Sequence, residues 1–231
     1  MAKLYDESFF NKIKGASAKS AVLILPHIKN IIPKLESAID FGCGNGTWLN
    51  TLKQLYNTSI LGIDGAYAIP NLIINHSEFT ACDFNKETPN IYSKYDLAMS
   101  LEVGEHLDKH RAKTFVDSIC TTSDYILFGA ALPGQKGTHH VNEQPQSYWA
   151  KMFIDNGFIP VDFRFKVILN YKISYWYRQN ALLYVKSLKD LNLSYLDICI
   201  RDKYEIRHFK GFDPKLNKNY NPDKDEEMSD S

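Results

Sequence analysis

The sequence predicts an α/β fold in which helices cover both faces of a mainly parallel sheet. Between residues 38 and 186, short apolar runs typical of buried strands alternate with segments that have the apolar spacing of helices. The first strand leads into its helix through a glycine-rich turn within Ala38–Trp48, and the next strand ends on an acid, Asp64, about 20 residues later. Because ligands of such sheets bind at the carboxyl ends of the strands, we expect a site at that edge.

The first 36 residues are predicted to form a helical cap over the site. Helical apolar spacing runs over Asp6–Glu36. We expect breaks near Gly15 and around Pro26 and Pro33, because glycine and proline weaken or interrupt helices. The predicted cap is therefore residues 1–36, ahead of the first strand.

The main domain is predicted to be residues 37–190. Its predicted strands are 38–43, 59–64, 78–83, 95–101, 124–131 and 181–186. Its predicted helices are 46–56, 68–74, 108–120 and 145–156. The stretch 158–169 is predicted to be extended. Residues 191–231 are a predicted C-terminal extension in which Leu191–Ile200 forms a short extra element. The last 20 residues are polar and end in DKDEEMSDS, a composition that predicts disorder.

Composition and charge exclude several classes of protein. The chain has 231 residues, 44% hydrophobic and 23% charged, which is typical of one globular domain. Lys+Arg and Asp+Glu balance at 27 each, so no net field favours binding to nucleic acid or to a membrane surface. The four cysteines have no zinc-like spacing, and the apolar run Ala21–Leu25 is too short for a signal sequence or a span. We expect a cytoplasmic protein with reduced thiols, of unknown oligomeric state.

The glycine-rich turn has the features of a nucleotide site. Three glycines, Gly42, Gly44 and Gly46, let the backbone turn sharply and approach a ligand closely. The helix that follows offers its N-terminus to a negative or hydrogen-bonding group. Asp64 lies where a carboxylate accepts hydrogen bonds from a ribose diol.

The same residues resemble a known family. The run from Asp40 to Gly46, DFGCGNG, is similar to motif I of class I S-adenosylmethionine-dependent methyltransferases, and FTACDF and YDLAMSLEVGEHL follow in the family's order. The resemblance implies a Rossmann-like, seven-stranded, mainly parallel sheet whose last strand is antiparallel. It also implies that S-adenosylmethionine is the cofactor. Asp64 matches the acid that holds the ribose, Asp83 matches the acid that bonds the adenine amino group, and Phe84 matches the residue that covers the ring. The implied cofactor residues are Asp40, Gly42, Gly44, Gly46, Asp64, Asp83 and Phe84.

A narrower resemblance covers roughly residues 17–187. The segments GTWL, GIDG, SLEVGEHL, HVNEQPQSYW and WYRQNALLYV look like a bacterial subfamily found with surface-polysaccharide or other glycan-modifying genes. This chain departs from the subfamily in having His139-His140 where its relatives carry a single histidine before VNEQ. The register favours His140 as the functional imidazole.

Two polar sets are expected to meet at the carboxyl edge of the sheet. Glu102, Glu105 and His106 share one face if a helical turn begins at Glu102. The second set, in the loop after the fifth strand, is His139, His140, Asn142 and Glu143. Together they predict a divalent-metal site formed by Glu102, Glu105, His106 and His140, with Mg²⁺ or Mn²⁺ if oxygen ligands dominate and Zn²⁺ or Fe²⁺ if imidazoles do.

The role of these residues has three alternatives. ExxEH with a downstream histidine resembles the metal site of small-RNA 2′-O-methyltransferases and of a ubiquinone-pathway O-methyltransferase. A bound cation would make a poorly nucleophilic sugar hydroxyl more acidic. Alternatively, His106 or His140 is a metal-free general base, or the set is structural. The predicted catalytic residues are His106, His140 and Glu105.

Aromatic side chains supply the candidate contacts to the methyl acceptor. Tyr148, Trp149, Trp176 and Arg178 suit a sugar ring, with stacking on its apolar face and hydrogen bonds at its rim. They suit a protein core equally well, because alternate residues of a strand-like segment, as we interpret Tyr175 to Gln179, would point inward. The function predicted is O-methyl transfer to a hydroxyl of a sugar or glycan precursor. The alternatives are methylation of RNA ends or of another small metabolite, and a non-catalytic partner protein that holds the cofactor.

Overall fold

The computed structural model describes the backbone of residues 7–192 and 195, and the side chains of residues 15–192 and 195. Its sheet has seven strands, which are β1 Ser37–Phe41, β2 Ser59–Asp64, β3 Phe79–Ala81, β4 Leu97–Leu101, β5 Tyr125–Gly129, β6 Ile159–Val161 and β7 Leu182–Val185. Its α-helices are α1 Glu7–Ile31, α2 Thr47–Tyr56, α3 Ala112–Cys120, α4 Gln146–Asp155 and α5 Tyr175–Asn180. Short 3₁₀ turns lie at Ala66–Asn71, His76–Glu78, Gly104–His106, Lys109–Arg111 and Arg164–Lys166.

The strand order is β3-β2-β1-β4-β5-β7-β6. Strands β1 to β5 pair in parallel, and β7 is antiparallel to both of its neighbours, β5 and β6. The prediction of a seven-stranded, mainly parallel sheet with an antiparallel last strand is therefore confirmed. The order reverses between β1 and β4, and the loops that leave these two adjacent strands diverge to form a crevice.

Apolar side chains form a core on each face of the sheet. One core packs α1 and α2 against the sheet through residues such as Ile24, Leu49 and Met99. The other packs α3 and α4 against the opposite face, where Phe128, Phe153 and Tyr184 contact one another. Because β1 and β4 are buried on both faces, their positions and the loops at their ends are closely defined.

Helix α1 differs from its prediction in being continuous from Glu7 to Ile31 through Gly15 and Pro26. A proline inside a helix costs about 3 kcal/mol. Burial of Ile24, Leu25 and Ile28 on either side of Pro26 outweighs this cost, since each such side chain contributes about 1.5–3 kcal/mol. The helix ends before Pro33, where a break was expected.

Two other predicted segments are corrected. The stretch predicted as extended over 158–169 contains only the short strand β6 and then a 3₁₀ turn. The aromatic segment from Tyr175 to Gln179, interpreted as strand-like, lies in helix α5. Both segments are too short for periodicity to separate helix from strand. The domain boundaries remain predictions. The extra element and the disordered end predicted for the C-terminal extension lie outside the described residues, except for residues 191, 192 and 195.

Within the described part of the chain, no helix is long and apolar enough to cross a membrane.

Candidate active site

A cleft of about 370 Å³ opens at the carboxyl edge of the sheet, over the point where the strand order reverses. Its floor is formed by the loops that follow β1, β2 and β4. Its roof is formed by Ser17 of α1 and by Tyr175, Trp176 and Tyr177 of α5. The hydroxyls of Ser17 and Tyr177 are 2.9 Å apart, and the Ser174 amide donates to the Ser20 hydroxyl, so α1 and α5 are joined directly.

The glycine-rich turn lines the cleft with backbone. Gly42, Gly44 and Gly46 all have positive φ angles, of 87°, 56° and 85°. A side chain at Gly42 would also overlap Val103, which follows β4. Glycine is therefore required both by the turn and by the close approach of the neighbouring loop, and Gly46 leads directly into α2.

Asp64 ends β2 and holds the glycine turn in place. Its carboxylate accepts hydrogen bonds from the Gly44 amide at 2.7 Å and the Gly65 amide at 2.7 Å, and from the Tyr67 hydroxyl. The side chain is buried, and this burial raises its pKa while the three hydrogen bonds oppose the rise. The arrangement fixes the carboxylate in the cleft beside the turn.

Asp40 is a second buried acid beside the turn. Burial, and secondarily the charge of Asp64, raise its pKa to about 7. A cleft that desolvates two neighbouring carboxyl groups attracts a ligand that brings positive charge or hydrogen-bond donors.

Asp83 and Phe84 lie in the same cleft, after β3. Phe84 packs edge-on against Phe115, and Asp83 forms an ion pair with Lys86 at 2.8 Å. Six of the seven residues that the family resemblance implies for the cofactor therefore line this cleft, and the seventh, Gly46, packs against Ile74.

The second predicted set lies across the cleft from the glycine turn. Glu102 follows β4 with a φ of 58°, an unusual conformation for a residue with a side chain, which indicates local strain at this position. Its carboxylate accepts hydrogen bonds from Asn180 at 3.0 Å and from Gln135 at 3.3 Å. Burial raises the pKa of Glu102 to about 7.

Glu105 is fully buried, and no described donor meets its carboxyl oxygens with complete hydrogen-bond geometry. Burial, followed by the nearby charge of Glu102, holds its pKa well above the ordinary range. The backbone amides of Glu105 and Ala131 and the side chain of Glu102 lie beside this carboxyl group, and its incomplete hydrogen bonding makes Glu105 a candidate to hold a bound group.

Two imidazoles complete the set. The rings of His106 and His140 lie edge to face with their centroids 4.9 Å apart. Nδ1 of His106 is 3.3 Å from the His139 carbonyl oxygen, and Nδ1 of His140 is 2.8 Å from Glu143 Oε1. Burial lowers the pKa of His106 to about 4, so this imidazole is neutral at physiological pH.

Glu105, His106 and His140 each place a ligand atom within 4.8 Å of the others. Two histidines and one carboxylate are a ligand set found in catalytic metal sites. Glu102 does not belong to this group, because its left-handed backbone turns it toward Asn180 and Gln135, and the helical turn begins only at Gly104. His139 is exposed and contributes only its carbonyl, so His140 is the better candidate of the adjacent pair.

Three of the four residues predicted to contact the methyl acceptor lie outside the cleft. Trp149 is 2% exposed and packs on Phe128 and Gly104 in the core. Tyr148 lines a separate surface groove with Lys113 and Lys151. Arg178 is buried and donates to the Ile168 carbonyl. Only Trp176 lines the cleft, because α5 turns consecutive side chains to different sides where a strand would alternate them.

Sequence reasoning missed residues that shape the cleft. Tyr67 lies three residues after Asp64 and bonds it, a spacing that is visible in the sequence. Trp48 packs edge-on against Tyr177 at 5.0 Å and joins α2 to the roof. Gln135 and Asn180 position Glu102 over long sequence separations, which no local pattern reveals.

Comparisons with known proteins were informative only at the level of structure. No model of a known protein family matches the sequence, and no curated protein sequence matches it. Human N-acetylserotonin methyltransferase in complex with S-adenosylmethionine is 15% identical, with a TM-score of 0.51 over 73% of this chain and 51% of its own. The chain thus spans about half the length of that enzyme.

Two further solved structures have the same fold. Magnesium protoporphyrin IX methyltransferase from Synechocystis PCC 6803, with bound S-adenosylmethionine, is 18% identical, with a TM-score of 0.52 over 75% of this chain and 79% of its own. A putative O-methyltransferase from Nostoc punctiforme PCC 73102 is 16% identical, with a TM-score of 0.56 over 74% of this chain and 57% of its own. At these identities the likeness establishes the fold, which is the Rossmann-like fold of class I methyltransferases.

The raised pKa of Asp40 leads to a prediction about stability. In the folded protein the pKa of Asp40 is about 7, whereas in the unfolded chain it is near the ordinary value of 3.8. The unfolded chain therefore releases this proton first, and the free energy of unfolding falls as the pH rises from about 4 to about 7. Asp40→Asn should exceed the wild type in stability at pH 8 by about 1–3 kcal/mol and match it at pH 4, measured by urea unfolding. The matched control is Asp124→Asn, which changes an exposed carboxyl group and should leave the stability unchanged at both pH values. Equal stabilities of Asp40→Asn and the wild type at pH 8 would contradict the desolvation of Asp40.

The position of Trp149 leads to a second prediction. Trp149→Ala should lower the free energy of unfolding by about 3–5 kcal/mol, because it empties a large buried volume, whereas Tyr148→Ala should cost about 1 kcal/mol. Denaturant titration measures both values. If Trp149→Ala fails to fold, Trp149→Phe gives the milder comparison. A stable Trp149→Ala protein would place this ring outside the core.

Proposed function

We propose that this chain is an S-adenosylmethionine-dependent O-methyltransferase that acts on a hydroxyl of a sugar or glycan precursor. One observation carries the proposal. A single cleft has the glycine turn with Asp40 and Asp64 on one side, and Glu105, His106 and His140 on the other. The first side suits a cationic nucleoside cofactor, and the second suits the activation of a hydroxyl group beside it.

The residues of the first side fit the cofactor. Asp64 and Asp83 follow neighbouring parallel strands, at the positions where ribose and adenine donors need acceptors. Asp64 and, when it is ionised, Asp40 give this end of the cleft negative character, which complements a sulfonium and an ammonium group. When bound, S-adenosylmethionine supplies an electrophilic methyl group.

The chain's own residues would then bind and deprotonate the acceptor. In the metal-free mechanism Nε2 of His140 is the general base, because its Nδ1 is engaged by Glu143. The side chains of α1 and α5 that line the cleft would cover a bound acceptor, and Trp176 would offer it an aromatic surface.

Glu105, His106 and His140 also fit a divalent cation. Their ligand atoms lie within 4.8 Å of one another, and each imidazole has its Nδ1 engaged by an oxygen, an arrangement that orients the rings of metal-binding histidines. A bound cation would supply Lewis acidity toward the acceptor hydroxyl. Metal-free base catalysis by the same histidines is the alternative mechanism.

The acceptor class rests on the resemblance to glycan-associated sequences and on the character of the cleft. Of the residues that line it, Lys136 is the one lysine or arginine, whereas carboxyl groups are numerous, so a neutral hydroxyl compound suits it better than a polyanion such as RNA. Transfer of label from methyl-labelled S-adenosylmethionine to a panel of sugars and nucleotide-linked sugars tests this class. We place the reaction in the cytoplasm, consistent with the buried free thiols of Cys43, Cys82 and Cys120.

Cofactor binding is tested by calorimetric titration with S-adenosylhomocysteine. The wild type should bind in the micromolar range, and Asp64→Ala should weaken binding by roughly 1.5–3 kcal/mol, the scale of a charge-assisted hydrogen bond, which is about 10- to 150-fold in Kd. The exposed Asp124→Ala, at the opposite edge of the sheet, should bind as the wild type does. Absence of binding by the wild type would overturn the cofactor assignment.

Metal binding is tested by equilibrating the protein with Mn²⁺ or Zn²⁺, dialysing it and measuring its metal content. We expect one equivalent that a chelator removes. Glu105→Ala and His140→Ala should lose the metal and methyl transfer while they keep their affinity for S-adenosylhomocysteine within about threefold. The exposed His110→Ala should keep all three properties. A wild type that takes up no metal would leave the metal-free mechanism.

A further inference from the structure

We propose that Glu143 is a positioning residue that seats the loop 133–137 against the cleft and sets the tautomer of His140. The proposal rests on the proposed function for its catalytic meaning, whereas the contacts that carry it stand by themselves. Glu143 lies three residues after His140, and its side chain is 18% exposed.

The carboxylate of Glu143 joins two parts of the cleft wall. Oε2 accepts a hydrogen bond from the Gly134 amide at 2.6 Å, and Oε1 accepts one from the Lys136 amide at 2.7 Å. The same Oε1 lies 2.8 Å from Nδ1 of His140. One side chain therefore bonds two backbone amides of the loop and one imidazole of the site.

This geometry selects the protonation pattern of the ring. A carboxylate is only an acceptor, so a neutral His140 must carry its proton on Nδ1 to bond Glu143. Nε2 then has the lone pair that a base or a metal ligand needs. In water a histidine side chain has no partner that enforces this choice.

The loop also holds His140 from its other side. A side chain at Gly137 would overlap Nε2 and Cε1 of the imidazole, so the ring lies directly on the Gly137 backbone. Release of the loop from Glu143 would remove this second support. The position of the loop and the orientation of the ring are thus coupled through one carboxylate.

The neighbouring backbone does not depend on Glu143. The amides of Val141 and Asn142 both donate to the Glu105 carbonyl at 2.9 Å, which ties this segment to the exit of β4. Variants of Glu143 should therefore fold, with changes confined to the loop and the ring.

The experiment compares Glu143→Ala and Glu143→Gln with the exposed Glu36→Gln as the matched control. Amide hydrogen exchange reports on Gly134 and Lys136, and ¹⁵N chemical shifts of the imidazole nitrogens report the tautomer of His140 at pH 8.5. Calorimetry with S-adenosylhomocysteine shows that the glycine-turn side of the cleft is intact.

In the wild type we expect the Nδ1–H tautomer. Glu143→Ala should speed exchange of both amides at least about tenfold and yield a mixture with the Nε2–H form, because all three hydrogen bonds are lost. Glu143→Gln should be selective: its carbonyl oxygen can replace Oε1 for Lys136 and His140, whereas its NH₂ group cannot accept from Gly134. Only the Gly134 amide should then exchange faster. Glu36→Gln should change none of these signals.

An Nε2–H tautomer in the wild type, or a tautomer unchanged in Glu143→Ala, would overturn the proposal. Faster amide exchange with an unchanged tautomer would make Glu143 a loop anchor only, which also overturns it. These readouts need no methyl acceptor, so failure of the O-methyltransferase assignment would be seen separately, as absence of S-adenosylhomocysteine binding or of methyl transfer.

Discussion

Several carboxyl groups are buried around one cleft, and the rest of the structure must compensate for the free-energy cost of removing them from water. Asp40, Asp64 and Glu105 are buried at the carboxyl edge of the sheet, and Glu102 lies half-buried beside them. Keeping carboxyl groups out of water costs free energy unless each finds donors or a cation. Asp64 meets this condition with two backbone amides, one of them from the glycine turn, and with the Tyr67 hydroxyl, and Glu102 meets it with Asn180 and Gln135. The pKa values of Asp40 and Glu105 are instead raised by burial, which favours the protonated forms of both groups. Apolar packing on both faces of the sheet supplies the stability that permits this arrangement.

Much of the fold and the cofactor side of the cleft could be predicted from the sequence, because their signals are local. The bounds of β2 agree with prediction residue for residue and those of α2 to within one residue, since a glycine turn, helical apolar spacing and a terminal acid mark them. Once the strands are assigned, the rule that carboxyl ends share one edge brings Asp64 and Asp83 together without further information. The convergence of His106 and His140 follows from the same rule.

The remaining features depend on contacts that no short pattern encodes. Trp149 is buried in the core and Trp176 lines the cleft, although both lie in helices. Only the elements packed around each tryptophan decide whether its side chain is buried or faces the cleft. The left-handed backbone of Glu102 is unexpected for a residue with a side chain, and its carboxylate is held by Gln135 from a loop and by Asn180 at the end of α5. Continuity of α1 through Pro26 likewise reflects tertiary burial that overrides local propensity.

The contact between α1 and α5 has a consequence for folding during synthesis. The bonded hydroxyls of Ser17 and Tyr177 are 160 residues apart in sequence, so the roof joins the first and the last α-helix in the described part of the chain. Contacts of such separation form late, because the chain between them must be ordered first. During synthesis the apolar face of α1 around Ile24 and Ile28 remains exposed to solvent until the sheet and α2 have been synthesised. A nascent chain that stops before α5 would therefore have the glycine turn and α1 but lack the part of the roof that α5 supplies, and Trp48 would be without its contact with Tyr177.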